Sequence, residues 1–370
     1  MDQFADHLPE TGIGEDLALS RISALATDAA ARLGDPLSLA HMDPPPPRIA
    51  SELVGLNATL NQNLLHPDLS PFATKAETTV IQWLLPHFGM ADGHLCAGSS
   101  LANLEALWAA REHGATQVVA SAEAHLSVRK AADILGLPFT AVAVDADGRL
   151  DRAQLPDLSK TALVLTAGTT GRGVIDSLAP ADALWVHVDA AWAGPMRLTR
   201  HAGLLDGIEH AHSIAVSAHK WFLQPKDSAL VMFASSAATD PVRYGGSYLA
   251  TPNVGVQGSR SAAGVALLGT LLAFGRAGIA HWIEGSIALS QGLAARIDAD
   301  PRLELKQHPE TGVLNWRPTG GLSPELLRAL GTVASSVRID DALWVRHVAA
   351  NPNADIDAIW ERIQHLVSDV

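Results

Sequence analysis

Two short stretches carry the residue types with the most to offer chemically. His187-Val188-Asp189-Ala190-Ala191-Trp192 puts an acid at the end of an apolar, β-type run, and Ser217-Ala218-His219-Lys220-Trp221 puts a lysine just past the next such run. A lysine amine condenses with an aldehyde once it has lost its proton, and desolvation together with nearby cations favours that loss. A carboxylate at the end of a buried strand needs a partner for its charge, and a protonated pyridine nitrogen is one. Together the two are the minimum equipment for holding pyridoxal phosphate, with Lys220 as Schiff-base amine and Asp189 on the ring nitrogen. Singly, each has a plainer reading: a solvated lysine, and an acid serving a helix N-cap or an arginine.

Three more motifs follow apolar runs of their own. Gly98-Ser99-Ser100-Leu101-Ala102-Asn103 opens a helix directly after a strand, and hydroxyls with free N–H groups at a helix N-terminus suit a phosphate as well as an ordinary serine cap. Ala124-His125-Leu126-Ser127 offers an imidazole that could stack on a planar ring or sit as a plain loop histidine. Gly168-Thr169-Thr170-Gly171 is a tight turn whose glycines admit a ligand close to the backbone and whose hydroxyls could touch it. Gly171-Arg172-Gly173 begins like a dinucleotide fingerprint, but Asp176 stands where the third glycine belongs. His210-Ala211-His212 and His187-Val188-Asp189 have ligand-like spacing without a full ligand set, so no metal is expected.

The elements that must position these residues follow from the pattern of the chain. Apolar runs are expected as strands at His94–Ala97, Gln117–Ser121, Thr140–Val144, Thr161–Thr166, Trp185–Asp189, Ser213–Ser217 and Ala229–Phe233. Helix-like stretches alternate with most of them, including Leu101–His113 and Val128–Leu135. This predicts an α/β protein with a seven-stranded, mostly parallel sheet and helices on both faces. Ligands of such sheets sit beyond the carboxyl ends of the strands, where Ser99, Ser121, Thr169, Asp189 and Ser217 fall. Upstream, helix is expected over Leu17–Leu33 and over Ala76–His87 with Thr74 as N-cap; Pro44–Pro47 forms an extended strap. Past residue 258 the pattern changes to long helical segments, Ala262–Ala273 and beyond Gly278, then to a smaller mixed region over Leu303–Val370. The chain therefore divides into residues 1–66, a large domain over 67–258 and a smaller C-terminal α+β domain over 259–370.

Composition narrows the class of function. The chain has 370 residues, 48% of them hydrophobic, enough for a sizeable core and more than one domain. Its 39 acidic against 26 basic residues give a formal charge of −13, and no Lys/Arg cluster offers a nucleic-acid surface. The single cysteine, Cys96, excludes an internal disulfide framework, and the N-terminus lacks the pattern of a secretory signal. The apolar run from Ala262 ends at Arg276, too short and too rich in glycine for a bilayer span. A cytoplasmic protein with no membrane or nucleic-acid partner is expected.

In order and spacing, the five motifs resemble those of the group II pyridoxal-phosphate-dependent amino-acid decarboxylases, which have the aspartate-aminotransferase fold (fold type I). Gly258-Ser259-Arg260, Leu60-Asn61-Gln62-Asn63 and Ser70-Pro71 fit as well, so the resemblance covers roughly residues 40–290. It implies that Lys220 carries the cofactor, Asp189 keeps the pyridine nitrogen protonated and His125 stacks on the ring. Ser99 and Ser100 would bind phosphate with His219 nearby, and Ser217 stands where relatives often carry another polar phosphate ligand. Thr169 and Ala191 join the cofactor-binding set. Ser259 resembles the phosphate contact given by the neighbouring subunit, which implies a homodimer with a shared active site and a segment 1–66 packed on the partner.

The activity implied is decarboxylation of an L-amino acid to the amine and CO2. Because the bond broken is the one held perpendicular to the ring, an aldolase, transaminase or carbon–sulfur lyase reaction is the alternative, and a non-catalytic cofactor-binding protein is another. Two departures stand out. Only 40 positions separate Lys220 from Arg260, and the interval holds both tyrosines of the chain, Tyr244 and Tyr248, instead of a long loop with a proton-donating tyrosine. Trp192 occupies the place of a more usual tyrosine. Asn61, Asn63, His66, Arg338 and Arg346 are candidates for lining the substrate pocket.

Overall fold

Runs of Val, Leu, Ile and Ala without polar alternation build a sheet buried on both faces. The computed structural model describes residues 4, 7–331 and 333–368. Its strands are β1 (Asp92–Cys96), β2 (Gln117–Ser121), β3 (Phe139–Val142), β4 (Thr161–Thr166), β5 (Trp185–Asp189), β6 (Ser213–Ser217) and β7 (Ala229–Phe233). They lie in the order β1-β7-β6-β5-β4-β2-β3, and every residue of β4, β5, β6 and β7 is buried. The neighbours from β3 to β6 pair in parallel, while β7 runs antiparallel to both β6 and β1. The carboxyl ends of six strands therefore share one edge, which collects the expected chemistry.

Helices cover the two faces. Against one lie α4 (Ser99–Glu112) and α5 (Leu126–Leu135), whose Ala102, Ala106 and Val128 pack on Val118, Ala120, Val164 and Ala215. Against the other lie α3 (Pro71–Phe88) and α6 (Ala263–Asp298), whose Val80, Leu84, Leu267 and Ile283 pack on Leu163, Val188 and Val216. Side chains alternate across a strand, so His187 and Asp189 of β5 both face α4. One expected cap is corrected. Pro71 starts α3 and Thr74 lies inside it, its hydroxyl donating to Ser70 O at 2.9 Å. Proline is favoured at the first helical position because the N–H it lacks would be unpaired there. The helix expected after residue 262 runs on to Asp298, broken only at Gly275, where φ is 58° and ψ −176°.

Residues 1–33, with α1 (Glu15–Ala29), and residues 34–370 are separate compact units. In the second, the polyproline strap leads into α2 (Arg48–Thr59). A short pair, β8 (Arg243–Tyr244) and β9 (Asn253–Val254), precedes α6, with Tyr244 stacked on Trp108 at the surface. The C-terminal portion is an antiparallel sheet of β10 (Leu303–Leu305), β11 (Val313–Pro318), β12 (Ser335–Ile339) and β13 (Ala342–Val348), with α7 (Pro324–Leu330) and α8 (Ile356–Ser368).

This second sheet grips the turn that follows β4. Thr311 Oγ1 donates to Gly173 O at 2.5 Å, and Asn315 Nδ2 donates to Gly171 O at 3.1 Å. Buried Arg172 pairs with Glu123 and with Asp340, each at 3.0 Å. Trp192 is turned into this seam: its Nε1–H donates to Thr311 O at 2.7 Å and its ring meets Trp221 at 4.1 Å between centroids. The unusual tryptophan is thus part of the core between the two sheets. Gly168 sits against it with φ 93°, and a Cβ there would meet Trp192 Cδ1 at 2.7 Å. Gly168→Ala is expected to cost about 2–4 kcal/mol, from the left-handed backbone and the overlap together. Urea unfolding checks this, and an unchanged midpoint would remove the turn from the list of tightly fitted segments.

Candidate active site

Strand β6 lies beside β5 with Asp189 opposite Ala215, so the turn leaving β6 passes close to the acid. That turn is pinned along its length. The Ala218 and His219 N–H groups donate to Ser228 O, Gln224 N–H donates to Ala218 O, and Leu223 N–H donates to Lys220 O. Trp221 and Phe222 anchor it in the core. Lys220 is left facing the strand ends, and its amine has no hydrogen-bond partner among the described residues. Burial pushes its pKa down, and the charges of Lys226 and Arg346 push the same way against Asp189 and Asp43. The neutral, nucleophilic form therefore extends to lower pH than in an ordinary lysine.

Asp189 is held from two sides. Its Oδ1 accepts from Ala191 N–H at 3.1 Å, and its Oδ2 accepts from Asn103 Nδ2 at 2.9 Å. Each oxygen keeps a lone pair for a further donor. Asn103 also donates to Ser127 Oγ at 2.9 Å, and Ser127 Oγ lies 2.8 Å from His125 Nδ1. His125 precedes α5 and accepts from Ser127 N–H at 3.3 Å. Burial lowers its pKa, with Asp189 opposing and Lys220 adding to the shift. Lys220, Asp189 and His125 thus form one electrostatic cluster at three different strand ends.

Beside it, α4 starts without a side-chain cap, leaving its N-terminus open. Ser217 Oγ–H donates to Ser99 Oγ at 2.8 Å, and Ser100 is exposed at the same helix start. Gly98 has φ 156°, with nothing within 4 Å of the place a Cβ would take. His219, in the lysine turn, is held by burial at a pKa of about 4 and is neutral. An unpaired amine, a carboxylate with lone pairs to spare and an uncapped helix start lined by hydroxyls fit pyridoxal phosphate at its aldehyde, ring nitrogen and phosphate in turn.

Other expected residues lie further from this cluster. Thr169 is fully buried, its Oγ1 accepting from Val174 N–H at 3.3 Å inside its own turn. Ser259 is exposed and accepts from Asn63 Nδ2 at 3.2 Å; among the described residues it makes no hydrogen bond to Lys220, Asp189 or His125. Arg338 is exposed on β12, whereas Arg346 on β13 is half-buried and its Nε has no hydrogen-bond partner. Its Nη1 donates to Ser335 Oγ at 3.2 Å, and burial pushes its pKa down. Asn103 went unassigned in the sequence. Its signal was there, since four residues after Ser99 it shares that residue's helix face.

Residues 47–317 match the pyridoxal-dependent decarboxylase conserved domain. The chain belongs to the pyridoxal-dependent decarboxylase family. It is 33% identical to the L-2,4-diaminobutyrate decarboxylase of Rhizobium meliloti (strain 1021), over 88% of this chain and 73% of that protein. It is 27% identical to the aspartate 1-decarboxylase of Aliivibrio fischeri (strain ATCC 700601 / ES114), over 76% of this chain and 63% of that one. In fold it is similar to Oryza sativa TDC crystallised with pyridoxal phosphate and tryptamine, with a TM-score of 0.89 at 19% identity, covering 100% of this chain and 91% of that one. The glutamate decarboxylase domain of the Vibrio parahaemolyticus diaminobutyrate protein gives 0.85 at 23% identity, covering 99% and 88%. The expected family and fold class are those found, and the expected cofactor is the one the family uses.

The lowered pKa of Lys220 has a measurable sign. In the cofactor-free protein, a small acylating reagent is expected to label Lys220 with a half-maximal rate at lower pH than exposed Lys75, read by peptide mass spectrometry. Equal midpoints would show that burial does not govern this amine.

Proposed function

We propose that this decarboxylase acts on a small, charged L-amino acid, with Lys220, Asp189 and His125 as the residues around its cofactor. The carrying observation is the Lys220 amine, unpaired among the described residues and within the electrostatic reach of a carboxylate whose oxygens are both held by N–H donors. Bound pyridoxal phosphate supplies an aldehyde for the substrate amine and a ring that takes up the electron pair left at Cα when CO2 departs. Lys220 Nζ, whose pKa burial lowers, would hold the aldehyde until the substrate amine takes its place and would then be free to carry a proton. Asp189 would hold a proton on the pyridine nitrogen and so favour the ring as electron acceptor. His125 would be the side chain that packs against the ring. Ser99, Ser100 and Ser217 receive the phosphate at the start of α4, with His219 nearby as a neutral donor.

The substrate class rests on the charges around the lysine. Asp43 on the polyproline strap pairs with Lys226, and both act on Lys220, as does Arg346. A half-buried arginine with no carboxylate partner among the described residues is suited to an anionic group of the substrate. The relatives named for L-2,4-diaminobutyrate and aspartate decarboxylation fit a charged side chain of this size.

The working form is a homodimer with residues 1–66 on the partner and Ser259 reaching the neighbour's phosphate. Exposed Leu56, Leu60, Phe72, Trp83 and Leu272 supply an apolar surface for it. A cytoplasmic location accords with the single, buried and unpaired Cys96.

A panel of carboxyl-labelled amino acids tests the reading by CO2 release, with diaminobutyrate or aspartate expected to exceed aromatic substrates. Turnover of the panel without CO2 would sink it. Lys220→Ala is expected to lose both CO2 release and the borohydride-reducible cofactor adduct. Arg346→Met is expected to raise KM by about tenfold or more, the loss of a charge-assisted hydrogen bond. An unchanged KM would take Arg346 out of substrate binding.

A further inference from the structure

The buried hydrogen-bond chain behind Asp189 takes its direction from the carboxylate, which can only accept. Trp185 Nε1 can only donate, and it donates to Ser213 Oγ at 2.8 Å. Ser213 Oγ lies 2.9 Å and Ser213 O 3.2 Å from His187 Nδ1, so this end of the chain does not by itself set the ring's tautomer. His187 is fully buried, and burial holds its pKa at about 4, so its ring is neutral. The Asp189 carboxylate takes an Asn103 N–H, which turns Asn103 Oδ1 toward His187 Nε2, so the single proton is on Nε2 and is donated at 2.9 Å. The Asn103 Nδ2 group is left with two protons for two acceptors, Asp189 Oδ2 and Ser127 Oγ, both at 2.9 Å. A flipped amide would set its oxygen against the carboxylate, so one orientation survives. Ser127 Oγ–H, now free to donate, points at His125 Nδ1 at 2.8 Å, and the Ser127 N–H reaches the same atom at 3.3 Å.

We propose that Asn103 is a positioning residue for the acid and the stacking histidine at once: its amide orients the Asp189 carboxylate and, through Ser127, fixes the His125 proton on Nε2. Its meaning for catalysis rests on the cofactor site proposed above, whereas the proton position on His125 does not. No other side chain of this length does the same. Leucine leaves His187 Nε2–H, Asp189 Oδ2 and Ser127 Oγ each short of a partner. Aspartate keeps the bond from His187 but sets a second carboxylate against Asp189, and such a pair shares a proton. The chain also explains why a tryptophan, a serine and a neutral histidine stand buried behind an acid on the α4 side of the sheet.

The test uses the full-length enzyme loaded with pyridoxal phosphate and labelled with 15N-histidine, the His125 signals being assigned by their loss in His125→Gln. In the wild type, His125 is expected to show one neutral tautomer with its proton on Nε2. In Asn103→Leu that preference is expected to weaken measurably, the Ser127 N–H remaining as a donor to Nδ1, and the cofactor dissociation constant to rise about tenfold or more. Asn103→Asp decides the matter if the leucine variant does not fold. Only the protonated form of the introduced acid can donate to Asp189, so kcat relative to wild type is expected to climb as pH falls, with KM within about twofold. A wild-type proton on Nδ1, an unaltered tautomer and cofactor affinity in Asn103→Leu, or a pH-independent kcat ratio in Asn103→Asp would each overturn the proposal. A wild type that releases no CO2 from any substrate would instead sink the decarboxylase reading and leave the tautomer result standing.

Discussion

A carboxylate removed from water is stable only if hydrogen-bond donors or a cation replace the lost solvent, and the site is organised around meeting that demand for Asp189. The backbone supplies one donor at Ala191 and α4 supplies the other at Asn103. Neither is a formal charge. The electrostatic balance therefore stays open to a cation arriving from outside the chain, which is what a protonated ring offers. Lys220 lies in the same field but is drawn toward neutrality by its surroundings. The acid attracts positive charge while the lysine sheds it, and the chemistry needs that division.

The rest of the fold serves this arrangement by bringing chain ends together. Parallel strands put their carboxyl termini on one edge, so residues as far apart as Ser99, His125, Asp189 and Lys220 meet without any long loop. Reversing β7 lets the lysine turn close quickly, because Ala229 pairs back beside Ser217. Helix α4 contributes twice: its open start offers N–H groups, and one turn later its amide reaches the acid.

Much of this could be read from the sequence. The seven strands fell within a few residues of their expected places because buried parallel strands are short apolar runs bounded by polar turns. Lys220 and Asp189 were legible for the same reason, each being a charged residue at the end of such a run. Thr74 was misplaced as a cap because two signals competed and Pro71, three residues earlier, starts the helix more strongly. The part played by Asn103 was hidden: its partners His187, Ser127 and Asp189 are 84, 24 and 86 residues away, and no local pattern records such contacts. Trp192 was harder still, since its partner Thr311 lies 119 residues away, whereas Thr169 is bonded locally to Val174 within its own turn. Ser259 has its partner in Asn63 within one chain, so its resemblance to a phosphate contact depends on a neighbour.

The grip of the second sheet on the Gly168–Gly173 turn bears on how the polypeptide is made. Thr311, Asn315 and Asp340 leave the ribosome some 140 to 170 residues after that turn, so an emerging chain that has completed its central sheet still lacks the clamps beside β4. A chain ended near residue 300 would therefore lack every one of these contacts, leaving the turn after β4 unclamped.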